Sequence, residues 1–422
     1  MKILILSNFY PPHHIGGYGM LCMEVAEGLA NHGHTFKVLT SQHGVDNPTV
    51  DGHIYRFLSL ESDIHFYKPG QGLRYPSAKR RNLAYFHQLI TSYQPDLIFI
   101  WGMWSLSKEL AAEAERIFGS RVIYYMANPW PIEPNMHQVY WDEPAHKLTR
   151  RPAKMAMRIP ARILLRDEWK SVPLQFEHAP CCSEALRTQL LEANVILQDA
   201  PVIYEGIDLA LYLAQSDQRP ISQRLRLLFV GILAKHKGVH TIIEALTLLS
   251  PTQLAQTELT IVGSGHPEYE AYLRKLVVDN DLSEYITFHP PIPRSELPAM
   301  LGEFDVLLLP STWEEPLARI MQEGLASGAV VVGSATGGTK EIIINEENGL
   351  LFPAENSRGL ANALNQLMDD PNLRRKLAEN GRQTAIEKFD IVRMVREINS
   401  YILNVVKDAS PTISQQGAIR SV

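Results

Sequence analysis

Residues 305–334 read DVLLLPSTWEEPLARIMQEGLASGAVVVGS, and their pattern decides the fold. The two apolar runs DVLLLP and AVVVGS are continuous, as strands buried on both faces require. Between them, PLARIMQEGLA has apolar residues at helical spacing, and Pro316 suits the first position of a helix. A strand, a helix and a second strand in this order predict two parallel strands joined by a helix.

The same alternation runs through both halves of the chain. The first half has apolar runs KILILS, FKVLT, DLIFIW and RVIYYM, and the second adds RLLFVG, ELTIVG and YITFHP, with helical patterns between them. This predicts an α/β protein with two doubly wound parallel sheets, in domains 1–213 and 222–390. The polar stretch 214–224 reads as the connection between them, and a ligand cleft is expected at the carboxyl ends of the strands. A last helix is predicted over 391–406, and the polar tail 409–422 is predicted to be disordered.

Composition excludes several classes of protein. The 422 residues carry a net charge of -6, which argues against nucleic acid as the main partner. Three cysteines give no disulfide framework and favour a reducing compartment. No run of about 18 apolar residues occurs and the first apolar run is too short for a signal peptide, so we expect a cytoplasmic location without a transmembrane helix. No Cys or His spacing indicates a metal site.

Glu315 and Glu323 lie eight residues apart around the predicted junction of strand and helix. Two explanations are open for them. They can complement the helix dipole and sit as solvated carboxylates at the edge of the apolar face. Alternatively, they can accept hydrogen bonds from hydroxyls at the two ends of one ligand, with a phosphate at the helix N-terminus between them.

For glycines and lysines near other strand ends, a structural explanation and a ligand-binding explanation are likewise both open. Gly337 and Gly338 follow a strand, where adjacent glycines form either a simple turn or a close approach to an anion. Lys235 and Lys237 follow the first strand of the second half, where they are either solvated or placed to neutralise a phosphate.

The stretch IGGYG near the N-terminus does not fit a dinucleotide-binding fingerprint. The position for its third glycine is Cys22, and the second strand ends in Ser41 where an acidic residue is expected. No nicotinamide or flavin cofactor is therefore predicted.

Together these residues resemble the family 4 glycosyltransferases, which have the GT-B fold of two facing Rossmann-like domains. The resemblance spans about residues 1–395 and is strongest over 226–352. The hallmark E-x7-E is Glu315 to Glu323, preceded by PSTWEEP and followed by GLASGAVVVGSATGGTKEII and NGLLFPAEN.

The resemblance implies a role for each matching residue. Glu315 would orient the donor sugar, Glu323 would bind the ribose hydroxyls, and Lys237 would hold the leaving diphosphate. The other residues implied in donor binding are Gly16, Gly17, Lys235, Leu317, Ala318, Arg319, Gly338 and Thr339. The final helix would cross back onto the first domain.

The implied chemistry is transfer of a sugar with retention of anomeric configuration, without a metal or cofactor. The implied donor is a nucleotide sugar, with a UDP-sugar expected first and a GDP-sugar next. The acceptor would be a glycan, a lipid-linked group or a small molecule, in assembly of a cell-surface polysaccharide, a glycolipid or a glycosylated metabolite. Charge on the leaving group would be stabilised by lysine, backbone amides and a helix dipole.

Two positions depart from the family pattern. Ile232 stands where members usually have arginine, and Ala127 and Asn128 stand where many have histidine. These departures favour a first alternative, a non-catalytic protein that binds nucleotide sugars. A second alternative is a sugar-nucleotide epimerase of the same fold, which needs further acid–base residues in the cleft. The sequence shows no clear candidate for them and leaves only His13, His14 and Asp208 open.

Two basic stretches, 68–82 and 147–170, lie in the acceptor-binding half. In the second, basic residues recur every fourth position: Arg150, Lys154, Arg158, Arg162, Arg166 and Lys170. Such a stripe is either a solvated helix face, a peripheral contact with an anionic membrane, or a holder for a phosphorylated acceptor. Pro152 and Pro160 argue against one unbroken helix.

Overall fold

The structure, a computed structural model, describes residues 1–13, 16–62, 67–144, 151–214 and 224–409. The predicted connection 214–224 and the predicted disordered tail 409–422 fall almost wholly outside these residues, as do His14 and the first part of the stretch 147–170.

The chain forms two compact units. The first comprises Met1–Cys181, Gln189–Ile203 and the stretch from Val395, and the second comprises Cys182–Thr188 and Tyr204–Met394. Each unit is built around one six-stranded sheet.

The sheet of the first unit has the strand order β3-β4-β2-β1-β5-β6. Its strands are β1 Lys2–Ser7, β2 Thr35–Ser41, β3 Thr49–Asp51, β4 Ile54–Leu58, β5 Leu97–Ile100 and β6 Val122–Tyr124. All neighbours are parallel except β3 and β4, which form an antiparallel hairpin at one edge. The apolar runs KILILS and DLIFIW form the buried centre of this sheet, as the parallel prediction requires.

The helices of this part of the chain lie between those strands or, from α5 onward, after the last of them. They are α1 Tyr18–Asn31, α2 Pro69–Gly72, α3 Tyr75–Tyr93, α4 Lys108–Phe118, α5 Met136–Asp142, α6 Arg151–Leu164 and α7 Glu184–Glu192. Helix α6 contains both Pro152 and Pro160 and ends at Leu164, so the described part of 147–170 is not one unbroken helix, but the break falls after Leu164 and not at either proline. A separate 3-10 turn, Arg166–Trp169, follows it.

The second sheet has the order β12-β11-β10-β7-β8-β9 and is parallel throughout. Its strands are β7 Leu225–Val230, β8 Thr257–Val262, β9 Ile286–His289, β10 Val306–Leu309, β11 Val330–Ser334 and β12 Leu350–Phe352. Strands β10 and β11 come from the two apolar runs of residues 305–334 and lie side by side in parallel, as predicted. Their residues are buried, so this pair forms part of the core.

Of the remaining helices, α8 precedes β7, and the others lie between or after the strands of this sheet. They are α8 Leu209–Leu213, α9 Val239–Leu246, α10 Pro251–Ala255, α11 Pro267–Asp279, α12 Leu297–Glu303, α13 Arg319–Ala326, α14 Thr339–Ile342, α15 Ser357–Asp369, α16 Pro371–Lys388 and α17 Ile391–Asp408. In the described residues, none of these helices, nor those of the first unit, has the length and apolar character needed to cross a bilayer.

Candidate active site

Glu315 and Lys237, the two residues predicted to be catalytic, form an ion pair. Lys237 ends a short 3-10 turn after β7, and Glu315 lies in the loop after β10, which is the parallel neighbour of β7. The Lys237 Nζ lies 2.6 Å from Glu315 Oε1, and the Ser311 hydroxyl donates to Glu315 Oε2 at 2.8 Å. About a fifth of each charged side chain is exposed, so the pair is partly shielded from water. Adjacent parallel strands thus bring these two charges together at the carboxyl edge of the sheet.

Gly238 determines how the lysine turn packs against the end of β10. Its φ of +68° is in the left-handed region, and a Cβ there would lie 1.9 Å from the Pro310 carbonyl oxygen. Only glycine meets both conditions. Trp313 lies next to this turn, with the Lys237 Nζ 5.7 Å from its ring centroid, and Lys235 is exposed.

Glu323 is buried and held by two arginines. Its carboxylate accepts from Arg294 and from Arg319 Nε, the latter at 3.3 Å, and its residue is 1% exposed. The alternative of a solvated edge carboxylate is therefore wrong. Burial raises the pKa of Tyr212, and the negative charge of Glu323 raises it further, so Tyr212 stays a neutral neighbour of this carboxylate.

The helix that carries Glu323 begins later than predicted. Helix α13 starts at Arg319, with Ala318 as its N-cap, and not at Pro316. Leu317 and Ala318 are buried in the segment between Glu315 and the helix. The loop is longer than the sequence pattern indicated because the residues after Pro316 pack against the glycine pair instead of continuing a helix.

Gly337 and Gly338 lie against the backbone of Glu315 and Pro316. A Cβ at either glycine would lie 2.1 Å from a carbonyl oxygen of that segment. The Gly337 N–H donates to Glu314 Oε2 at 2.6 Å, and the Gly338 N–H donates to the Glu315 carbonyl at 2.8 Å. The adjacent glycines predicted a backbone N–H that contacts an anion, and here that anion is the Glu314 carboxylate of the chain itself. Thr339, which follows them, is buried at the start of α14.

Gly16 and Gly17 belong to the first unit, whereas the other predicted donor residues belong to the second. Gly16 has a φ of +65°, and Gly17 is the N-cap of α1, accepting from the Leu21 N–H at 3.0 Å. Asp208, an epimerase candidate, caps α8 by accepting from the Ala210 N–H at 3.1 Å. His13 also lies in the first unit, and His14 is outside the described residues.

The sequence pattern missed an apolar cavity of about 290 Å³ in the second unit. It lies at the carboxyl ends of β7, β8 and β9 and is lined by Val230, Gly231, Ile232, Val262, Gly263, Ser264, Pro291, Ile292, Arg294 and Leu297. Ile232, which replaces the usual arginine, is 59% exposed here. Arg294 connects this cavity with the buried Glu323. The segment PIPR could have indicated this cavity, because it directly follows the run YITFHP and so lies at the carboxyl end of a parallel strand, where ligands bind.

Comparisons with known proteins show the family to which the chain belongs. A model of group 1 glycosyl transferases matches residues 214–384, and a model of glycosyltransferase family 4 matches residues 15–211. The two matches together span most of the chain, which therefore belongs to the family 4 glycosyltransferases of GT-B fold.

Individual relatives resemble the chain over nearly its whole length. A glycogen synthase of Mycobacterium tuberculosis is 26% identical over 411 residues, covering 92% of this chain and 91% of the relative. Sucrose-phosphate synthase from Thermosynechococcus elongatus has a TM-score of 0.71 at 20% identity, covering 96% of this chain and 99% of its own. Anabaena HepE, solved in complex with UDP-glucose, has a TM-score of 0.67 at 19% identity, covering 96% and 100%. The two structures establish likeness of fold.

Proposed function

We propose that this glycosyltransferase transfers a sugar, with retention of anomeric configuration and without a metal ion, from a nucleotide sugar to a glycan, lipid-linked or small-molecule acceptor. The observation that carries the proposal is the partly buried pair of Lys237 and Glu315 at the sheet edge that also holds Glu323. Such a cation can neutralise a leaving diphosphate, and such a carboxylate can orient a sugar ring.

The second unit offers a contact for each part of a nucleotide sugar. The apolar cavity beside Ile232 suits a base, and the carboxylate of Glu323 suits ribose hydroxyls. Lys237 and the exposed Lys235 suit the diphosphate. A UDP-sugar is the first candidate, in line with the UDP-glucose bound by the structural relative from Anabaena, and a GDP-sugar is the second.

The proposed chemical step depends on partner exchange by Lys237. In the chain alone, Lys237 neutralises Glu315. When the donor binds, Lys237 would turn to the diphosphate and Glu315 would accept hydroxyls of the sugar. As the glycosidic bond to the phosphate breaks, charge grows on the leaving oxygen, and Lys237 would stabilise it. The roles of Gly16, Gly17, Gly338, Thr339 and the backbone of 317–319 at the donor stay predictions.

Calorimetric titration with UDP, GDP and ADP tests this proposal. One nucleotide should bind in the micromolar range, and Glu323→Gln should weaken it by about 1.5–3 kcal/mol, the cost of losing a hydrogen bond to a charged group. The glutamine variant is preferred to Glu323→Ala because it keeps the buried volume beside Arg294 and Arg319. If no nucleotide binds to the folded wild-type protein, the donor assignment is wrong.

A non-catalytic nucleotide-sugar binder is the second candidate, favoured by Ile232 in place of a guanidinium. An assay for release of free glucose from UDP-glucose, or for transfer of glucose to a mixture of acceptors, distinguishes the glycosyltransferase from the non-catalytic binder. Binding of UDP-glucose with neither reaction, even when Ile232→Arg is introduced, would establish the binder. Turnover by the wild-type protein would exclude it.

We further propose that α6 contacts an anionic membrane at its surface. Met155, Ile159 and Ile163 recur every fourth residue and are 76%, 69% and 66% exposed. Ala161 and Leu165 are buried against Trp141, so the helix is anchored to the unit by a different set of residues. An exposed apolar row among arginines and lysines is typical of helices that lie in a lipid interface.

Vesicle sedimentation tests the membrane contact. The protein should sediment with vesicles containing phosphatidylglycerol, and less so at high salt. Replacing Met155, Ile159 and Ile163 by serine should reduce binding at least tenfold, whereas Ile196→Ser, at a residue 74% exposed in the same unit, should not. Equal sedimentation of both variants would contradict the proposal.

A further inference from the structure

A cavity of about 300 Å³ lies within the first unit. It opens at the carboxyl edge of the sheet, because Glu61 follows β4, Met103–Ser107 follow β5, and Trp130–Asn135 follow β6. The 3-10 turn Arg166–Trp169 supplies part of another wall. Parallel sheets bind ligands at this edge, and the volume suits a small ligand.

The walls combine aromatic rings with groups that accept hydrogen bonds. The lining residues of these types are Trp104, Trp130, Trp169, Glu61, Glu109, Glu133, Asp167, Glu168, Asn135 and Gln138. Indole faces pack against the apolar face of a ring, while carboxylates and amides bind its hydroxyls. This mixture suits a ligand that is apolar on its faces and rich in hydroxyls at its edge.

Two polar groups in these walls lack a partner. Ser105 and Trp130 are 6% and 3% exposed, and both line the cavity. Among the described residues, Ser105 Oγ and Trp130 Nε1 have no hydrogen-bond partner. Buried groups of this kind are costly unless something satisfies them. Both atoms are themselves covered by neighbouring atoms, so they are an unsatisfied polar layer behind the cavity wall and not groups that a ligand contacts directly.

Charge around the cavity disfavours an anionic ligand. Five acidic residues line it but only two lysines, Lys108 and Lys170. The nearby lysines are already engaged: Lys79 with Glu109 and Glu168 at 2.9 and 2.8 Å, Lys108 with the Pro131 carbonyl at 2.7 Å, and Lys170 with Asp167 at 2.6 Å. A phosphate or carboxylate in the cavity would face carboxylates, and to reach a lysine it would have to displace a carboxylate or, at Lys108, a backbone carbonyl.

Glu61 is the most deeply buried carboxylate of the wall. It is 2% exposed and accepts from the Met136 N–H at 2.8 Å. Burial raises the pKa of Glu61 to about 7, with Glu168 adding to the rise. Near neutral pH its carboxyl group therefore exists in both forms and can accept from a hydroxyl or donate to one.

We propose that this cavity binds an uncharged polyhydroxyl part of the acceptor, a sugar ring or a cyclitol, and rejects phosphorylated or carboxylated counterparts. This inference rests on the proposed function, because it names the substrate class for the same transfer. It narrows the acceptor to the kind of group that enters the site and leaves open what that group is attached to.

Saturation-transfer NMR on the full chain tests the selectivity directly. The probes are glucose, myo-inositol, glucose 6-phosphate and glucuronic acid at equal concentrations. Glucose or inositol should receive at least five times the transfer of either anionic probe. Trp104→Ala should abolish the transfer, whereas Glu192→Gln, at an exposed residue of the same unit, should leave it unchanged.

The acidic wall is tested separately with Glu61→Gln, which keeps shape and removes the charge, at a pH above about 8, where the Glu61 carboxyl of the wild type is mostly ionised. In this variant, the ratio of saturation transfer to neutral probes over transfer to anionic probes should fall severalfold. Circular dichroism establishes that each variant folds. Transfer to the anionic probes that equals or exceeds transfer to the neutral ones overturns the inference, as does absence of transfer to both neutral probes.

A UDP titration of the same wild-type sample keeps the two proposals apart. UDP binding together with absent sugar binding would defeat the cavity assignment and leave the glycosyltransferase proposal standing. Sugar binding without any nucleotide binding would do the reverse.

Discussion

Removing the charge of Glu315 should strengthen the binding of UDP. In the chain alone, the Lys237 ammonium lies 2.6 Å from the Glu315 carboxylate, and both side chains are about one-fifth exposed. A diphosphate that recruits Lys237 must first break this pair. Glu315→Gln weakens the pair without removing the lysine, so the nucleotide would no longer compete with a carboxylate.

The size of the effect follows from the geometry. At 2.6 Å and an effective dielectric constant of about 20, the bare attraction is about 6 kcal/mol. Desolvation and side-chain ordering reduce the net value to about 1.5–3 kcal/mol, as for other hydrogen bonds between charged groups. A glutamine oxygen still accepts from the lysine, so we expect a gain of about 1–2 kcal/mol, which is roughly a 5- to 30-fold tighter complex.

Calorimetry with UDP on three variants measures this. Glu315→Gln should bind more tightly, Lys237→Met should bind at least tenfold more weakly, and Glu314→Gln should match the wild type. Glu314 is the fitting control because its carboxylate contacts Gly337 and Lys340 instead of Lys237. Unchanged or weaker binding by Glu315→Gln would refute the partner exchange and would mean that Lys237 serves both anions at once.

Three further predictions concern residues around these sites. Gly238→Ala should lower the melting temperature and UDP affinity together, because its Cβ would lie 1.9 Å from the Pro310 carbonyl oxygen; a crystal structure with an unmoved turn would contradict this. The pKa of Glu61 is raised from 4.5 to about 7 in the folded state, so between these pH values the folded chain binds more protons than the unfolded chain. The free energy of unfolding should therefore fall by roughly 3 kcal/mol as the pH rises from 4.5 to 7. Urea unfolding of Glu61→Gln should lack this part of the decline, and identical pH profiles would count against it. Glu341→Ala should cost about 1–3 kcal/mol in the same assay, since its carboxylate accepts from Glu184 and Ala185 N–H groups at 3.0 Å, and Glu341→Gln should recover part of that loss.

The central strands were predictable because their burial has a direct signature in sequence. A strand covered on both faces is apolar at nearly every position, and β5 and β10 are wholly apolar. β1, β7 and β11 are apolar apart from Lys2, Ser7, Arg226 and Ser334. The edge hairpin of β3 and β4 was missed because Thr49–Asp51 is exposed at every residue, so no such signature exists. β12 is three residues long and also escaped notice.

The candidate site was predictable only in part. The eight-residue spacing identified Glu315 and Glu323, but their surroundings come from other loops. Arg294, which pairs with Glu323, is 29 residues away in sequence and follows a different strand. Local pattern cannot show such a contact, and for that reason the sequence left a solvated position open for Glu323, which is in fact buried. The start of α13 was misplaced for a related reason, since Pro316 fits a helix locally while packing against the glycine pair sets the loop.

The consecutive acids Glu314 and Glu315 show how one short loop organises the charges of this edge. Glu314 accepts from the Gly337 N–H, and Glu315 neutralises Lys237. Glu323 is neutralised by arginines in the same way. Under the proposed function, a nucleotide sugar would therefore exchange partners with the pair of Lys237 and Glu315 instead of meeting an unpaired lysine. Its affinity would then be a difference between two sets of ion pairs, and the loop of 311–318 would set that difference because it carries Glu315.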